Sequence, residues 1–198
     1  MQDNPQPLLT PRVLSLIPLA VGINLAMGQF AAVTHVPLFL DTVGTVVVAA
    51  LAGPWVAVLT GLVSQITFTV VSGNSTWLAF LPVQLAVAIY AGYAARLGAF
   101  TSLSRALLGG VGLGFVAATI SWPISLILFG GVTAGGVTLV TTVLRGLGVP
   151  LEWAVLAASL SNDLLDKSVT FLLVRAVLAA LPRRLAAAFP EAGRSLGR

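Results

Sequence analysis

From Leu38 to Val71 the chain reads LFLDTVGTVVVAALAGPWVAVLTGLVSQITFTVV, with Asp41 as its single charged residue. About 20 apolar residues span a hydrocarbon core ~30 Å thick, so this run is too long for one transmembrane helix. Gly53-Pro54 interrupts it where a tight turn is needed. Proline in a helix interior removes a hydrogen bond and clashes with the preceding turn. The run therefore divides into two helices packed side by side, and the rest of the chain reads in the same way.

Over 198 residues, 58% are hydrophobic and 8% are charged, at a mean hydropathy of +1.02. An ordinary soluble domain carries about 25% charged residues, and a water-facing surface cannot be built from so few. Apolar runs set against breakers predict helices over 13–33, 40–52, 54–72, 77–96, 104–129 and 151–181. The expected fold is an all-α membrane protein with six transmembrane helices. Residues 1–11 hold Asp3 and no Lys or Arg, lack the basic stretch of a signal peptide, and read as a disordered tail. Residues 12–182 form the transmembrane domain, and 183–198 a basic cytoplasmic tail suited to anionic lipid headgroups rather than nucleic acid.

Cytoplasmic loops collect Lys and Arg. With the N-terminus inside, Arg12, Arg96, Arg105, Arg175, Arg183, Arg184, Arg194 and Arg198 all fall at the cytoplasmic face and Arg145 alone outside. The expected orientation is N-in and C-in. The outer loops are then 34–39, 73–76 and 130–150, the last opening on a glycine-rich stretch, Gly130 to Gly136. That stretch reads either as a flexible connector or as backbone approaching a ligand.

Polar side chains within so apolar a chain need a partner or a task. Asn162-Asp163-Leu164-Leu165-Asp166-Lys167 lies in the last span. Asp163 and Lys167 are four residues apart with the acid first, the favourable order for a helical ion pair, and are expected to form a structural polar pair. The alternative is that one of these groups contacts substrate. A second set shares the outer depth: His35, Asp41, Gln65, Asn74, Trp77, Gln84, Ser121, Trp122, Ser125, Arg145, Glu152 and Trp153. From it, with Asn162, the candidate substrate-binding residues are Asp41, Asn74, Trp77, Gln84, Trp122, Arg145, Glu152 and Asn162. Their acids and base suit a neutral, zwitterionic or weakly charged molecule, and the aromatics a planar ring. Trp77 and Trp153 serve equally well as interfacial anchors. Small-xxx-small pairs at Gly22/Ala26, Ala88/Gly92 and Gly110/Gly114 allow close helix approach.

Several chemistries are excluded. No phosphate-binding G-x-x-x-x-G-K-[ST] stretch occurs, so any ATP must be hydrolysed by another subunit. With one His and no Cys, a His- or Cys-based metal site within the chain is not expected, and no cofactor is implied. There is no serine-hydrolase elbow, and Asp163 and Asp166 share one helix, unlike the converging carboxylates of an aspartic dyad. The chain does not read as an enzyme.

Ile17-Pro18-Leu19 leading into Gly22-Ile23-Asn24, the stretches Pro37 to Thr45 and Ala50 to Trp55, and Asn162 to Lys167 together resemble the substrate-binding S component of an energy-coupling factor transporter. The resemblance runs from the first span to the last. It implies a multi-pass protein of a bacterial cell membrane that binds a vitamin or related micronutrient near the outer face. It also implies a transmembrane T component and two cytoplasmic ATPase subunits as partners, and delivery of substrate by toppling in the membrane. A small-residue face on the first helix, here Gly22 and Ala26, would dock the T component. A ligand-binding membrane sensor or regulatory domain is the alternative, and an integral-membrane enzyme a third reading.

Overall fold

The computed structural model describes residues 10–34, 36–133 and 136–197. Most of the expected N-terminal tail, together with His35, Ala134, Gly135 and Arg198, lies outside the described residues. Among the described residues every regular element is a helix: α1 Pro11–Thr34, α2 Val43–Ala52, α3 Pro54–Ser72, α4 Thr76–Ala79, α5 Leu81–Arg96, α6 Leu103–Phe129, α7 Gly136–Gly146, α8 Leu151–Ala180, α9 Arg183–Ala186 and α10 Ala192–Leu196. Three of them, α1, α3 and α6, are long and apolar enough to cross a membrane, and α2 is a shorter apolar helix. The break at Gly53-Pro54 falls as the sequence predicts: Gly53 takes φ 87° and Pro54 opens α3.

The bundle is arranged for an apolar surround. Leu19, Val33, Val70, Leu108 and Ile127 stand exposed while Asn24, Gln65, Gln84, Asp166 and Lys167 are buried. On α8 the pattern is sharpest, since Ser159, Asn162, Asp163, Asp166, Lys167 and Thr170 all fall on the buried face. Helices in lipid associate through close packing rather than hydrophobic expulsion from water. Accordingly α6 lies against α8 at Gly110 and Gly114, where an added Cβ would sit 2.6 Å from the Ser168 Cα and 2.7 Å from the Leu164 Cα. Gly22 behaves oppositely: it is exposed, and a Cβ there meets nothing within 4 Å.

α2 is only 10 residues long. The chain approaches it through non-helical backbone, with Leu40 at φ 53°, an uncommon conformation for a non-glycine residue. Such backbone persists in an apolar interior only where its polar groups are satisfied. Two buried side chains from other helices satisfy them. Asp166 Oδ1 accepts from the Phe39 and Leu40 amides at 2.9 and 2.8 Å. Asn24 Oδ1 accepts from the amides of Gly44 (2.7 Å) and Thr45 (3.3 Å), closing the α2 N-terminus from α1. Its Nδ2 donates to Thr45 Oγ1 and Ser64 Oγ, so all four hydrogen-bonding positions of the amide are filled.

Three expectations need correction. The predicted 77–96 helix is two, α4 and α5, separated at Phe80 just before Pro82. Residues 130–150 are not a continuous loop, because α7 forms within them and packs Val137 and Thr141 inward. Residues 183–198 are not simply a tail: Ala186, Ala192 and Ser195 are buried. The Glu191 amide donates to the Leu51 carbonyl and its carboxylate pairs with Arg96 at 2.8 Å. These contacts set the Gly53 turn, Arg96 and Glu191 at one end of the bundle, called here the basic end.

Candidate functional site

At the opposite end a cavity of about 290 Å³ opens between the helices. That lies near the small end of the ~300–1,000 Å³ typical of small-molecule sites. Its polar lining comes from Asp41 and Thr42 before α2, Gln65 on α3, Asn74 and Thr76 around α4, Gln84 on α5, Ser121 and Ser125 on α6, Thr133 before α7, and Asp163 and Lys167 on α8. Its apolar lining includes Phe39, Trp77, Phe80, Val83, Phe129, Val132 and Val137. A separate opening along α5 and α6, lined by Ile89, Tyr90, Tyr93 and Val116, has no charged side chain in its lining.

The aromatic wall is held by stacking. Trp77 lies on Phe68 with ring centroids 4.5 Å apart, and Phe80 on Phe129 at 5.7 Å. Offset aromatic pairs contribute about 0.5–1.5 kcal/mol beyond the area they bury, enough to fix ring orientation before anything binds. Gln65 Nε2 donates to the Trp77 carbonyl at 2.8 Å, which leaves its buried Oε1 without a donor. Gln84 Nε2 donates to Thr45 Oγ1, tying the cavity wall to the Asn24 network.

The charged floor differs from the expected pair. Lys167 Nζ lies 2.5 Å from Asp166 Oδ2 and 3.4 Å from Thr42 Oγ1. Asp163 instead accepts from Ser121 Oγ at 2.7 Å. The polar pair on α8 is therefore Asp166–Lys167 and not Asp163–Lys167. Asp163, expected to be structural, borders the cavity. Asp41 has no hydrogen bond from another side chain among the described residues, and it too borders the cavity.

Of the other candidate residues, Asp41, Asn74, Trp77 and Gln84 come together in the lining, and four do not. Trp122 is half-buried and donates its indole N–H to the Glu152 carbonyl at 3.2 Å, joining α6 to α8. Glu152 is exposed. Arg145 is exposed and donates to the Val149 carbonyl in its own connection. Asn162 is buried on α8, with its Nδ2 unpartnered and its Oδ1 beside Gly136 of α7, outside the lining. Sequence reasoning placed Gln65 and Ser121 at the right depth without choosing them. It missed Thr42, Phe80 and Phe129, for which an apolar or hydroxyl side chain in an apolar run gives no signal.

Fold and site together define an all-helical membrane protein with a small, aromatic-walled, acidic-floored cavity at one end of its bundle. Compared with models of protein families, with characterised proteins and with solved structures, the chain matches none.

Proposed function

We propose that the chain is the substrate-binding subunit of an ATP-driven importer of the energy-coupling factor type, taking up a vitamin-sized nutrient. The observation that carries this reading is the cavity, which draws polar and aromatic groups from α3, α4, α5, α6, α8 and the segment before α2, yet contains no catalytic constellation among the described residues. In this reading α1, α2, α3, α5, α6 and α8 cross the bilayer, with the basic end in the cytoplasm and the cavity facing outward. A helix of 10 residues rises only ~15 Å, so α2 completes its crossing with the non-helical residues before it. The buried face of α8 carries its mid-helix charges, Asp163, Asp166 and Lys167, which leaves an apolar face for lipid.

Gly22 and Ala26 support the partner reading, since both are exposed on α1 while the other small-residue pairs are packed inside. Asn24, between them in sequence, points inward and is committed to α2. Co-expression with a T component and its two ATPases is expected to give a complex that purifies intact. The small molecule carried by the purified chain, identified by mass spectrometry, is then expected to accumulate in cells in an ATP-dependent way. Gly22→Leu should reduce accumulation several-fold and leave binding unchanged and the melting temperature no lower, because a Cβ at this position meets nothing within 4 Å. Accumulation by the chain alone in sealed vesicles, driven by an ion gradient, would overturn the proposal.

A further inference from the structure

The cavity is rich in acceptors and poor in free donors. Lys167 is its one cation among the described residues, and its ammonium is already engaged by Asp166 and Thr42. Asp166 is in turn fully committed, to that ammonium and to two backbone amides. This leaves Asp41 and Asp163 as an acidic excess in the lining. Asp163 keeps one oxygen beyond the Ser121 bond. A separate observation points the same way: Gln65 is 2% exposed, its amide is oriented by the Trp77 carbonyl, and its Oε1 has no donor. A buried acceptor left unpaired costs ~1–3 kcal/mol, and an unpaired buried charge more, so the site is incomplete without donors and positive charge.

The wall determines what kind of cation completes it. Trp77, Phe80 and Phe129 line the same space, and a cation over an aromatic face gains ~0.5–2 kcal/mol. No group of three or more His, Cys, Asp or Glu side chains able to hold a metal ion occurs among the described residues. We propose that the cavity binds a planar organic cation with N–H donors, of the amidinium or aminoheterocycle class, its charge set against Asp41 and Asp163 and one N–H on Gln65 Oε1. The inference rests on the reading of this cavity as the substrate site. It narrows the neutral, zwitterionic or weakly charged molecule expected from Arg145 and Glu152 beside Asp41, since neither Arg145 nor Glu152 lines the cavity.

Benzamidine, benzamide and benzoate share one shape and carry positive, zero and negative charge. Titrated into the detergent-purified full chain and followed by tryptophan fluorescence and calorimetry, benzamidine should bind at least ten-fold more tightly than benzamide, and benzoate not at all. Asp41→Asn should weaken benzamidine at least ten-fold while changing benzamide little. Asp163→Asn, which keeps an acceptor for Ser121, should act in the same direction if Asp41→Asn fails to fold. Equal binding of benzamide or benzoate, no binding of benzamidine at millimolar concentration, indifference of benzamidine to both substitutions, or its displacement by sodium or potassium chloride at matched ionic strength would each overturn the inference. The measurement needs no partner subunit. Cation preference without a transporter complex therefore defeats the importer alone, and an assembled importer that prefers benzamide defeats the cation alone.

Discussion

Both oxygens of Asp166 are committed, Oδ1 to the Phe39 and Leu40 amides and Oδ2 to the Lys167 ammonium. Spacing on a helix surface favours partners three or four apart, which selects Asp163 for Lys167. That rule describes water-exposed faces. Here Lys167 is 2% exposed, Asp166 is 0%, and the long lysine stem turns back toward the segment before α2, where Asp166 already lies. Removing one member of a buried ion pair typically costs ~3–5 kcal/mol because it leaves an uncompensated charge. Lys167→Met should therefore sharply lower the apparent melting temperature in detergent. Adding Asp166→Asn should recover much of the loss, since the amide oxygen can still accept from Phe39 and Leu40. Asp163→Asn in the same background should recover less, and equal recovery by the two would refute the pairing.

At the scale of the element, α2 is where neighbours rather than local sequence decide the outcome. Its N-terminus is closed by Asn24 of α1, which brings the backbones close enough that Gly44 cannot carry a side chain: an added Cβ would overlap the Ala20 carbonyl. Gly44→Val should destabilise by the ~1–3 kcal/mol usual for overpacking, and should weaken ligand binding as well by displacing Asp41 and Thr42. Gly22→Val on the exposed face should stay within ~0.5 kcal/mol of the parent. Thermal melts of the two variants side by side check the contrast. The helices readable from sequence were those with long apolar runs and sharp breakers, above all the Gly53-Pro54 division. The sequence pattern starts α2 at 40 rather than 43 because Leu38 to Leu40 continue its apolar run, and only Asp166, far along the chain, makes their non-helical path tolerable. The sequence pattern reads as loop over α7 because glycines flank it and its β-branched Val and Thr residues are weak helix formers, although Val137 and Thr141 carry a helical spacing. Half of the candidate substrate-binding residues line the cavity by the same logic. Asp41 and Gln84 stand out as polar groups in apolar runs, while Arg145 and Glu152 look identical in sequence and are turned outward by the connection around α7.

Across the whole molecule Arg96 and Arg105 lie at the end opposite the cavity. Arg96 pairs with Glu191 near the Gly53 turn, and Arg105 lies beside Gly98 and Thr101, which the chain reaches again near Gly197. Asn74, Trp77, Phe129 and Thr133 mark the other end. Orientation in a bilayer follows the excess of Lys and Arg in short loops, so the basic end should face the cytoplasm and the cavity the exterior. Single cysteines placed in a chain that has none give a direct reading. Asn74 and Leu147 are exposed at the cavity end and Ser104 at the basic end, and none is a core position. Asn74→Cys and Leu147→Cys should react with a membrane-impermeant thiol reagent in intact cells, whereas Ser104→Cys should react only after the membrane is opened. Each variant melts normally if its position is as exposed as it stands here, which separates failed labelling from failed folding. The reverse pattern would place the cavity in the cytoplasm, where it cannot capture a nutrient from outside, and the importer would give way to a protein that senses or releases a cytoplasmic ligand.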